Sequence, residues 1–179
     1  METRNVIDFY AYWKHEAIIA DLDTKRNNFT VVCSNLYNDF NIATIIRNAN
    51  AFLARKVIVY GARQYDRRGT VGTHHYTHFK YTKSLSELDD EIKSLRDNNV
   101  DVKIIGIDNI PGAKPIDIYS FNRNIHYVFV FGQEQVGLPH ELVEICDDVL
   151  YIKQYGSVRS LNVGTASGIA MYDYCSKVL

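Results

Sequence analysis

The feature that most constrains the fold of this chain is a series of short apolar segments. Five of them are rich in β-branched and aromatic residues: FTVVCS (29–34), KVIVYG (56–61), VKIIGID (102–108), IHYVFVFG (125–132) and VLYIKQ (149–154). Runs this short and unbroken are typical of strands that are buried on both faces of a parallel sheet.

Segments with helical periodicity separate these strands. Apolar residues recur on one helix face within 39–54 and within 84–98, where Ser84 and Glu87 are spaced as a capping box. A short helix is predicted from Pro139 and a final helix from about Leu161, whereas the polar stretch 62–83 has no predicted element. Strands that alternate with helices predict an α/β domain with a mostly parallel sheet and helices on both faces.

The composition fits a single compact domain. The chain has 179 residues, of which 46% are hydrophobic and 23% charged. We expect residues 1–28 to form an appended N-terminal helix and residues 29–179 to form the domain. No uncharged apolar run approaches the ~20 residues needed to cross a bilayer, and the first residues lack a secretory signal pattern. The chain is therefore predicted to be cytoplasmic, and its three distant cysteines suggest neither a disulfide nor a zinc site.

The formal net charge of -1 gives the chain no global attraction for a polyanion. Cations are instead concentrated between residues 47 and 83, and acids dominate residues 87–91. These cations form one basic face, or they are scattered solvated charges, and the sequence supports the two interpretations equally.

The loops that leave the strands are the candidate sites, since ligands of open parallel sheets bind at the carboxyl ends of the strands. After the first strand, Asn41 lies near a helix start and Arg47 lies two turns further on. On a helical wheel Arg47 is nearly opposite the apolar stripe, so it can meet a phosphate. The alternative is a solvated surface arginine.

Two later loops also carry unusual residues. After IHYVFVFG, Gly132 and Gly137 flank Glu134, and the backbone of such a turn can approach a ligand closely. A plain strand-to-helix turn with proline at the first helical position is the alternative, but it does not account for both glycines. After VLYIKQ, Ser160 and Asn162 precede small residues that suit close helix packing, and Ser160 as a helix cap is the structural alternative.

Taken together, three segments resemble a known family. NIATIIRNANAF, FGQEQVGLP and IKQYGSVRSLNVGTASGIAMYDY are similar, in this order, to motifs one, two and three of the SpoU (TrmH-like) branch of the SPOUT RNA methyltransferases. The resemblance covers Phe29 to the end of the chain. It implies an S-adenosylmethionine-dependent enzyme that methylates a ribose 2′-hydroxyl of RNA. It also implies a homodimer and an α/β fold with a deep trefoil knot at the C-terminal cofactor site.

The resemblance assigns roles to individual residues. Side chains that match its catalytic positions are Arg47, Asn41, Glu134, Ser160 and Asn162. Residues that match its cofactor-binding positions are Gly132, Ile152, Leu161 and Ile107. Departures from the family pattern, which predict a changed pocket shape and substrate, occur at Ala43, Gln133, Gln135, Lys153, Gln154, Gly164 and Thr165.

The family mechanism makes the motif-one arginine a general base. A guanidinium, with a pKa of roughly 12.5 or more, is a poor proton acceptor near neutrality. We therefore expect Arg47 to anchor the phosphate beside the target ribose, while Ser160, Asn162 or Glu134 aligns the hydroxyl.

The tract GTHHYTHFKY contains His74, His75 and His78, but no acidic or thiol partner is near it in sequence, so no metal is expected. Contacts of Tyr76, Phe79, Tyr81 and Lys80 with RNA are favoured, because aromatics stack on unpaired bases while cations hold phosphates. Packing of this tyrosine-rich surface on a partner subunit is the alternative.

Two alternative functions can be compared with the sequence. A dinucleotide-binding or P-loop protein is disfavoured, since neither glycine-rich fingerprint follows a predicted strand. A catalytically silent RNA-binding protein that kept the fold is the remaining alternative, and retention of Arg47, Glu134 and Asn162 favours the enzyme. Among RNAs, tRNA is favoured over rRNA because the chain offers few phosphate contacts.

Overall fold

The structure, a computed structural model, describes residues 5–35, 41–97, 101–134 and 136–179. Within these ranges seven strands form one sheet. They are β1 (Phe29–Asn35), β2 (Lys56–Gly61), β3 (Phe79–Thr82), β4 (Val102–Ile107), β5 (Lys114–Pro115), β6 (His126–Phe131) and β7 (Asp148–Tyr151). The order across the sheet is β3-β2-β1-β6-β4-β7-β5, and each of these pairings is parallel.

Helices cover both faces of this sheet. The α-helices of the described ranges are α1 (His15–Asp23), α2 (Ile42–Ala51), α3 (Leu85–Arg96), α4 (His140–Glu144) and α5 (Val163–Val178). Short 3₁₀ turns lie at Asp8–Tyr10, Arg67–Thr70, Thr73–Tyr76 and Ile116–Ile118. Apolar side chains of α2 and α5 pack on one face of the sheet, and those of α3 and α4 pack on the other. The predicted α/β class, with a parallel sheet between two helical layers, is confirmed.

The central strands are enclosed on both sides. Every residue of β1 and of β6 is buried, as expected for strands covered by helices on both faces. On the face covered by α2 and α5, the rings of Phe29, Phe129 and Tyr174 meet edge to face with centroids 5.2 to 5.7 Å apart. Each fully buried side chain of this size contributes about 1.5–3 kcal/mol. This packing fixes the two strands whose carboxyl ends lead into the candidate site.

Two strands lie outside the predicted series. β3 falls within the polar stretch 62–83 and pairs only with β2, so it is an edge strand. An edge strand tolerates an exposed charge such as Lys80, and it therefore lacks the continuous apolar run of a central strand. β5 has two residues, which is too short to leave any periodicity in the sequence.

The predicted helix starts agree with the structure to within a few residues. Ser84 Oγ accepts a hydrogen bond from the backbone N of Glu87 at 3.3 Å. The Glu87 carboxylate accepts from the backbone N of Lys83 at 2.8 Å, one residue earlier than a capping box predicts. α3 ends at Arg96. Its predicted last residue, 98, and the predicted first residues of α2, 39 and 40, lie outside the described residues.

The N-terminal segment packs on the loop that follows β2. Ile18 of α1 is buried against Tyr10 and Tyr76. Arg26 donates hydrogen bonds to the backbone oxygens of Ala54 and Tyr76 at 3.0 and 3.1 Å. The division into an appended helix and a domain stays a prediction. None of the described helices is long and apolar enough to span a bilayer.

Candidate active site at the carboxyl edge of the sheet

A cleft of about 260 Å³ opens at the carboxyl ends of β4, β6 and β7. Its lining includes Ile107, Gly132, Ile152 and Leu161. These are the four residues predicted to bind the cofactor. Ile107, Gly132 and Ile152 lie at the ends of β4, β6 and β7, and Leu161 lies in the loop before α5. The structure therefore brings all four to one cavity, and their role there stays a prediction.

Two glycines allow the turn after β6 to close tightly beside the cleft. A Cβ atom on residue 132 would lie 2.2 Å from the backbone carbon of Gly137, so no side chain fits. Gly137 itself has a φ of 68°, a left-handed conformation that favours glycine. Gln133 and Gly137 exchange two backbone hydrogen bonds of 2.9 and 2.8 Å. The closed turn therefore requires glycine at both positions, and the alternative of a plain strand-to-helix turn did not account for this.

Asp108 ties this turn to the end of β4. Its Oδ2 accepts a hydrogen bond from the backbone N of Leu138 at 2.7 Å, and its Oδ1 accepts from the backbone N of Asn109 at 2.7 Å. Asp108 also lines the cleft. Sequence reasoning did not single it out, although a carboxylate directly after a buried strand was a usable signal.

Asn41, Glu134 and Asn162 form a hydrogen-bonded cluster at the cleft. Asn41 Nδ2 donates to Glu134 Oε2 at 2.9 Å. Asn162 Nδ2 donates to Asn41 Oδ1 at 2.8 Å and to Glu134 Oε1 at 3.2 Å. The three motifs thus meet through one side chain each. The Glu134 side chain is exposed, and two amide donors hold its carboxylate.

The start of α5 separates the roles of Ser160 and Asn162. Asn162 is the N-cap, because its Oδ1 accepts a hydrogen bond from the backbone N of Thr165 at 3.2 Å. The interpretation of Ser160 as the helix cap is therefore wrong. Ser160 is exposed and lines the cleft, where its hydroxyl can contact a ligand.

Arg47 lies on the exposed side of α2. Nothing in the described part of the chain forms an ion pair or hydrogen bond with its side chain. Ala43 of the same helix faces Gly69, and Thr44 faces Gly164 at the start of α5. By helical geometry, Arg47 projects between these two directions. It can therefore meet a phosphate near the cluster, but it does not bond to the cluster itself.

Two departures from the family pattern belong to the packing of α2 on its neighbours. A Cβ atom on Gly69 would lie 2.8 Å from the Ala43 Cβ, and one on Gly164 would lie 2.8 Å from the Thr44 Cγ2. Asn48 Nδ2 donates to the Gly164 oxygen at 2.9 Å. Substitutions at positions 43 and 164 therefore set how closely α2 approaches the turn 67–70 and α5.

The other departures lie at the cleft or near it. Gln133 and Gln154 line the cleft, and the change of pocket shape that they predict stays a prediction. Lys153 forms an exposed ion pair with Asp117 at 2.9 Å. Thr165 receives the helix cap described above, and Gln135 lies outside the described residues.

The histidine tract connects α1 to the loop after β2. The side chains of His74, His75 and His78 contact, in that order, Thr70, His15 and Asp23. Burial lowers the pKa of His74, and its neighbour His75 acts in the same direction. Tyr76 is buried and therefore does not offer a ring to RNA, whereas Tyr81 is half-buried. Across the described ranges, no group of three His, Cys, Asp or Glu side chains is placed to hold a metal.

Comparison with known proteins decides the family. The sequence profile described as the SpoU rRNA Methylase family matches residues 28–172. The chain belongs to this family. The resemblance found in the three motifs is thereby confirmed.

Members of the SpoU family include enzymes that act on two classes of RNA. The 23S rRNA (guanosine-2′-O-)-methyltransferase RlmB of Acinetobacter baylyi is 37% identical over 78 residues, which are 44% of this chain and 31% of that protein. The tRNA (guanosine(18)-2′-O)-methyltransferase of Aquifex aeolicus is 26% identical over 160 residues, which are 85% of this chain and 71% of that protein.

A solved SpoU methyltransferase has the same fold. The crystal structure of AviRb from Streptomyces viridochromogenes in complex with AdoMet matches with a TM-score of 0.73 and 27% identity, over 83% of this chain and 57% of that one. The chain thus spans about a third of the RlmB relative and just over half of AviRb. The SPOUT fold class is confirmed, and the trefoil knot stays a prediction.

Proposed function

We propose that this chain transfers a methyl group from S-adenosylmethionine to a ribose 2′-hydroxyl of RNA. The observation that carries the proposal is the Asn41–Glu134–Asn162 cluster, which places a hydrogen-bonded carboxylate at the edge of the cleft. Two relatives, a 23S rRNA and a tRNA 2′-O-methyltransferase, support the reaction type.

The cleft has the features that S-adenosylmethionine requires. Ile107, Ile152 and Leu161 offer apolar surface for a purine ring, and Gly132 allows close approach to the backbone. Gln154 adds a buried Oε1 that accepts no hydrogen bond from the described residues, and a donor of the adenosine would satisfy it. When bound, the cofactor supplies an electrophilic methyl group on a sulfonium sulfur.

Glu134 is the residue that we assign to the ribose hydroxyl. Each of its oxygens accepts one amide hydrogen bond, and the side chain is exposed at the cleft. The 2′-hydroxyl would donate to one of these oxygens, which would align the ribose oxygen. The carboxylate would take the hydroxyl proton when the oxygen–methyl bond forms and the sulfur–methyl bond of the cofactor breaks. Asn41 and Asn162 hold the carboxylate in place. Ser160, in the loop before α5, contacts the bound ligands from the other side of the cleft.

Arg47 is assigned to the phosphate next to the target ribose. Its guanidinium is exposed and has no carboxylate partner within the described ranges, so it is available to a phosphate oxygen. Two parallel N–H donors fix the phosphate geometrically, which orients the ribose without any proton transfer by arginine. Positioning of this kind can lower the barrier by several kcal/mol.

Label transfer tests the proposal directly. The purified protein is incubated with S-adenosylmethionine labelled on the methyl group and with separate pools of tRNA and rRNA, and the nucleosides are then mapped by mass. Label is expected on ribose 2′-oxygens, and the pool that carries it identifies the RNA class. Label confined to bases or to protein would contradict the proposal.

A matched pair of arginine variants tests the anchor. Arg47→Ala should raise the KM for RNA and lower kcat, whereas Arg68→Ala should do neither, because Arg68 is already paired with Asp66 at 2.6 Å. Full turnover by Arg47→Lys would count against bidentate phosphate binding.

The silent RNA-binding alternative makes an opposite prediction. A protein of that kind binds RNA but shows no heat of binding with S-adenosylmethionine. Calorimetry with the cofactor alone therefore separates the alternative from the enzyme.

A homodimer is part of the proposal. Ile169 and Tyr172 on α5 are exposed, and Tyr172 contacts the ring of Phe52 on the same side. Apolar side chains in such a position suit a subunit interface. Sedimentation should give a dimer, and Tyr172→Glu should shift it towards monomer; a wild-type monomer at all concentrations would contradict this part.

A further inference from the structure

Several cations near the sheet are neutralised within the chain. Lys56 and Lys80 share Glu91 of α3, with N–O distances of 3.0 and 2.8 Å. Arg68 forms two-pronged hydrogen bonds with the carboxylate of Asp66. These three side chains are therefore poor candidates for binding an external phosphate.

The exposed arginines Arg47, Arg63 and Arg67 form a second group. None of them contacts a carboxylate in the part of the chain that the structure describes. The pleat of β3 separates Lys80 from its neighbour Tyr81, because successive side chains of a strand point to opposite faces. On β3, Lys80 reaches Glu91 of α3, whereas Tyr81 packs on the face that α2 and α5 cover.

Arg63 lies over an aromatic ring. Its guanidinium carbon is 4.9 Å from the centroid of the Tyr81 ring. Tyr81 is in turn stacked with Phe79 at 6.4 Å and packed against the core, so its ring is fixed. Arg63 is exposed, so its guanidinium is accessible from solvent while it lies over the Tyr81 ring. A planar cation in this position can stack on an unpaired base.

The loop that carries Arg63 is fastened to the carboxyl edge of the sheet. Asn35, at the end of β1, donates hydrogen bonds to the backbone oxygens of Ala62 and Gln64 at 2.7 and 2.9 Å. Arg67 follows in the turn whose Gly69 packs on α2, the helix that carries Arg47. The three arginines thus follow one another from the end of β2 towards α2.

The distance to the catalytic cluster follows from the sheet order. β2 is two strands from β6, and β3 is three strands from it. At about 4.8 Å between strands, the Arg63–Tyr81 pair lies roughly 10–15 Å along the edge from the turn that carries Glu134. A stacked single strand of RNA rises about 3.4 Å per nucleotide, so this distance corresponds to roughly three or four nucleotides.

We propose that Arg63 and Arg67 form a second RNA contact beside the catalytic cluster, in which Arg63 on Tyr81 stacks on an unpaired base and Arg67 binds a phosphate between that base and the target ribose. The contact rests on the proposed function for its substrate class. It selects a target nucleotide in a loop or single-stranded segment, because the bases of a continuous duplex are not available for stacking on a side chain.

The test measures RNA affinity apart from methyl transfer. Binding of fluorescently labelled tRNA and rRNA pools is followed by anisotropy from low to high salt for wild type, Arg63→Ala, Arg63→Lys and Arg67→Ala. Arg68→Ala and Lys80→Ala are matched controls, since each removes a cation that is already paired. Arg67→Ala should weaken binding about fivefold near 0.1 M salt and reduce the slope of log affinity against log salt by about 0.7–0.9.

Arg63 should behave differently from a simple charge. Arg63→Lys should keep the salt slope of the wild type but lose about fivefold or more in affinity, because the ammonium cannot stack. Tyr81→Leu, which removes the ring beneath Arg63, should reproduce that loss without a change of charge. None of the arginine variants should change the affinity for S-adenosylmethionine, because Arg63 and Arg67 do not line the cleft.

The outcomes separate this contact from the proposed function. Equal losses in Arg68→Ala and Arg67→Ala, or unchanged affinity in Arg63→Ala, would overturn the second contact even if ribose methylation is found. Conversely, arginine-dependent binding of the expected pattern without any methyl transfer would support the contact while the proposed function fails. RNA that binds neither to wild type nor to the variants would overturn both.

Discussion

The two edges of the sheet use similar polar residues in opposite ways. At the amino edge, buried His126 lies 2.9 Å from Thr30 Oγ1 through its Nε2 and 2.9 Å from Asn28 Oδ1 through its Nδ1. Both ring nitrogens are therefore used within the fold. At the carboxyl edge, Glu134 is exposed, and the buried Gln154 Oε1 accepts no hydrogen bond from the described residues.

The difference shows which polar side chains stabilise the fold and which can bind a ligand. All strands of this sheet are parallel, so every loop that leaves a strand at its carboxyl end reaches the same edge. A polar group whose bonds are complete and buried holds the fold together. A buried polar atom without such a bond beside a cavity, as at Gln154 Oε1, can bind a ligand. The following predictions, ordered from the largest expected effect to the smallest, test that contrast.

Gly132→Ala should cause the largest loss. The new Cβ would lie 2.2 Å from the backbone of Gly137, so the turn after β6 must move and the cleft must change shape. We expect the affinity for S-adenosylmethionine to fall by about a thousandfold or more, measured by calorimetry, which corresponds to roughly 4.1 kcal/mol. Gly156→Ala is the matched control, because nothing lies within 4 Å of its added Cβ. Similar cofactor binding in the two variants would refute the importance of this close approach.

Glu134→Gln should reduce turnover more than binding. The amide group has the same size as the carboxylate, but an NH₂ group replaces one of its two oxygens. That NH₂ group would face the NH₂ donor of an asparagine, and the proton acceptor would be lost. We expect kcat for methyl transfer to fall by about 10²–10³-fold, with little change in cofactor affinity. Glu144→Gln, on the exposed side of α4, is the control. A variant at position 134 with wild-type kcat would remove Glu134 from the mechanism.

The amino edge should respond to pH through stability. Burial lowers the pKa of His126 to about 4, and Arg55 and Lys56 act in the same direction. The unfolded imidazole titrates near pH 6.5, so between pH 6.5 and 4 the unfolded state binds more protons than the folded state. The free energy of unfolding should therefore decrease as the pH falls through this window, by up to about 3 kcal/mol.

Urea unfolding between pH 7 and pH 4 measures this component. In His126→Gln the decrease should be smaller, although the variant is less stable at pH 7. His140→Gln should keep the wild-type dependence, because the His140 side chain is 87% exposed. If the profiles of wild type and His126→Gln are parallel, His126 does not carry the pH dependence.

Asp108→Asn should have the smallest of these effects. In the wild type, the Asp108 carboxylate accepts hydrogen bonds from the backbone N–H groups of Asn109 and Leu138. In the variant, the NH₂ group of the amide would face one of these N–H donors, and that hydrogen bond would be lost. The loss of one charged hydrogen bond, about 1.5 kcal/mol, should lower cofactor affinity roughly tenfold. Asp101→Asn, an exposed position near the amino edge, provides the control in the same calorimetric assay. Equal affinities for all three proteins would show that Asp108 does not brace the cleft.

The sequence predicted those parts of the fold that leave a strong periodic pattern. The buried strands β1, β2, β4 and β6 are continuous apolar runs, and the apolar stripe of α2 was visible from Ile42 to Ala49. β3 was missed because an edge strand needs only one partner and tolerates charge, and β5 was missed because two residues carry no pattern. Local pattern therefore predicts central elements better than peripheral ones.

The candidate site was predicted from the joint order of three motifs. Asn41, Glu134 and Asn162 were named from sequence, and the structure connects them by hydrogen bonds. Asp108 was missed because its role depends on the turn after β6, which approaches it only in the folded chain. The pairing of Lys80 with Glu91, and hence the distinction between neutralised and available cations, likewise depends on which face of the sheet each side chain meets.

The hydrogen bond between Asn162 and Asn41 joins residues 121 positions apart in the chain. Loop closure over such a separation is entropically costly and comes with long-range sheet pairing, which folds slowly. The cluster should therefore be among the last features to form and should be absent from partly folded chains. The proposed activity would then report on completed folding, because an intermediate with β1 and α2 in place but α5 undocked would lack the cluster.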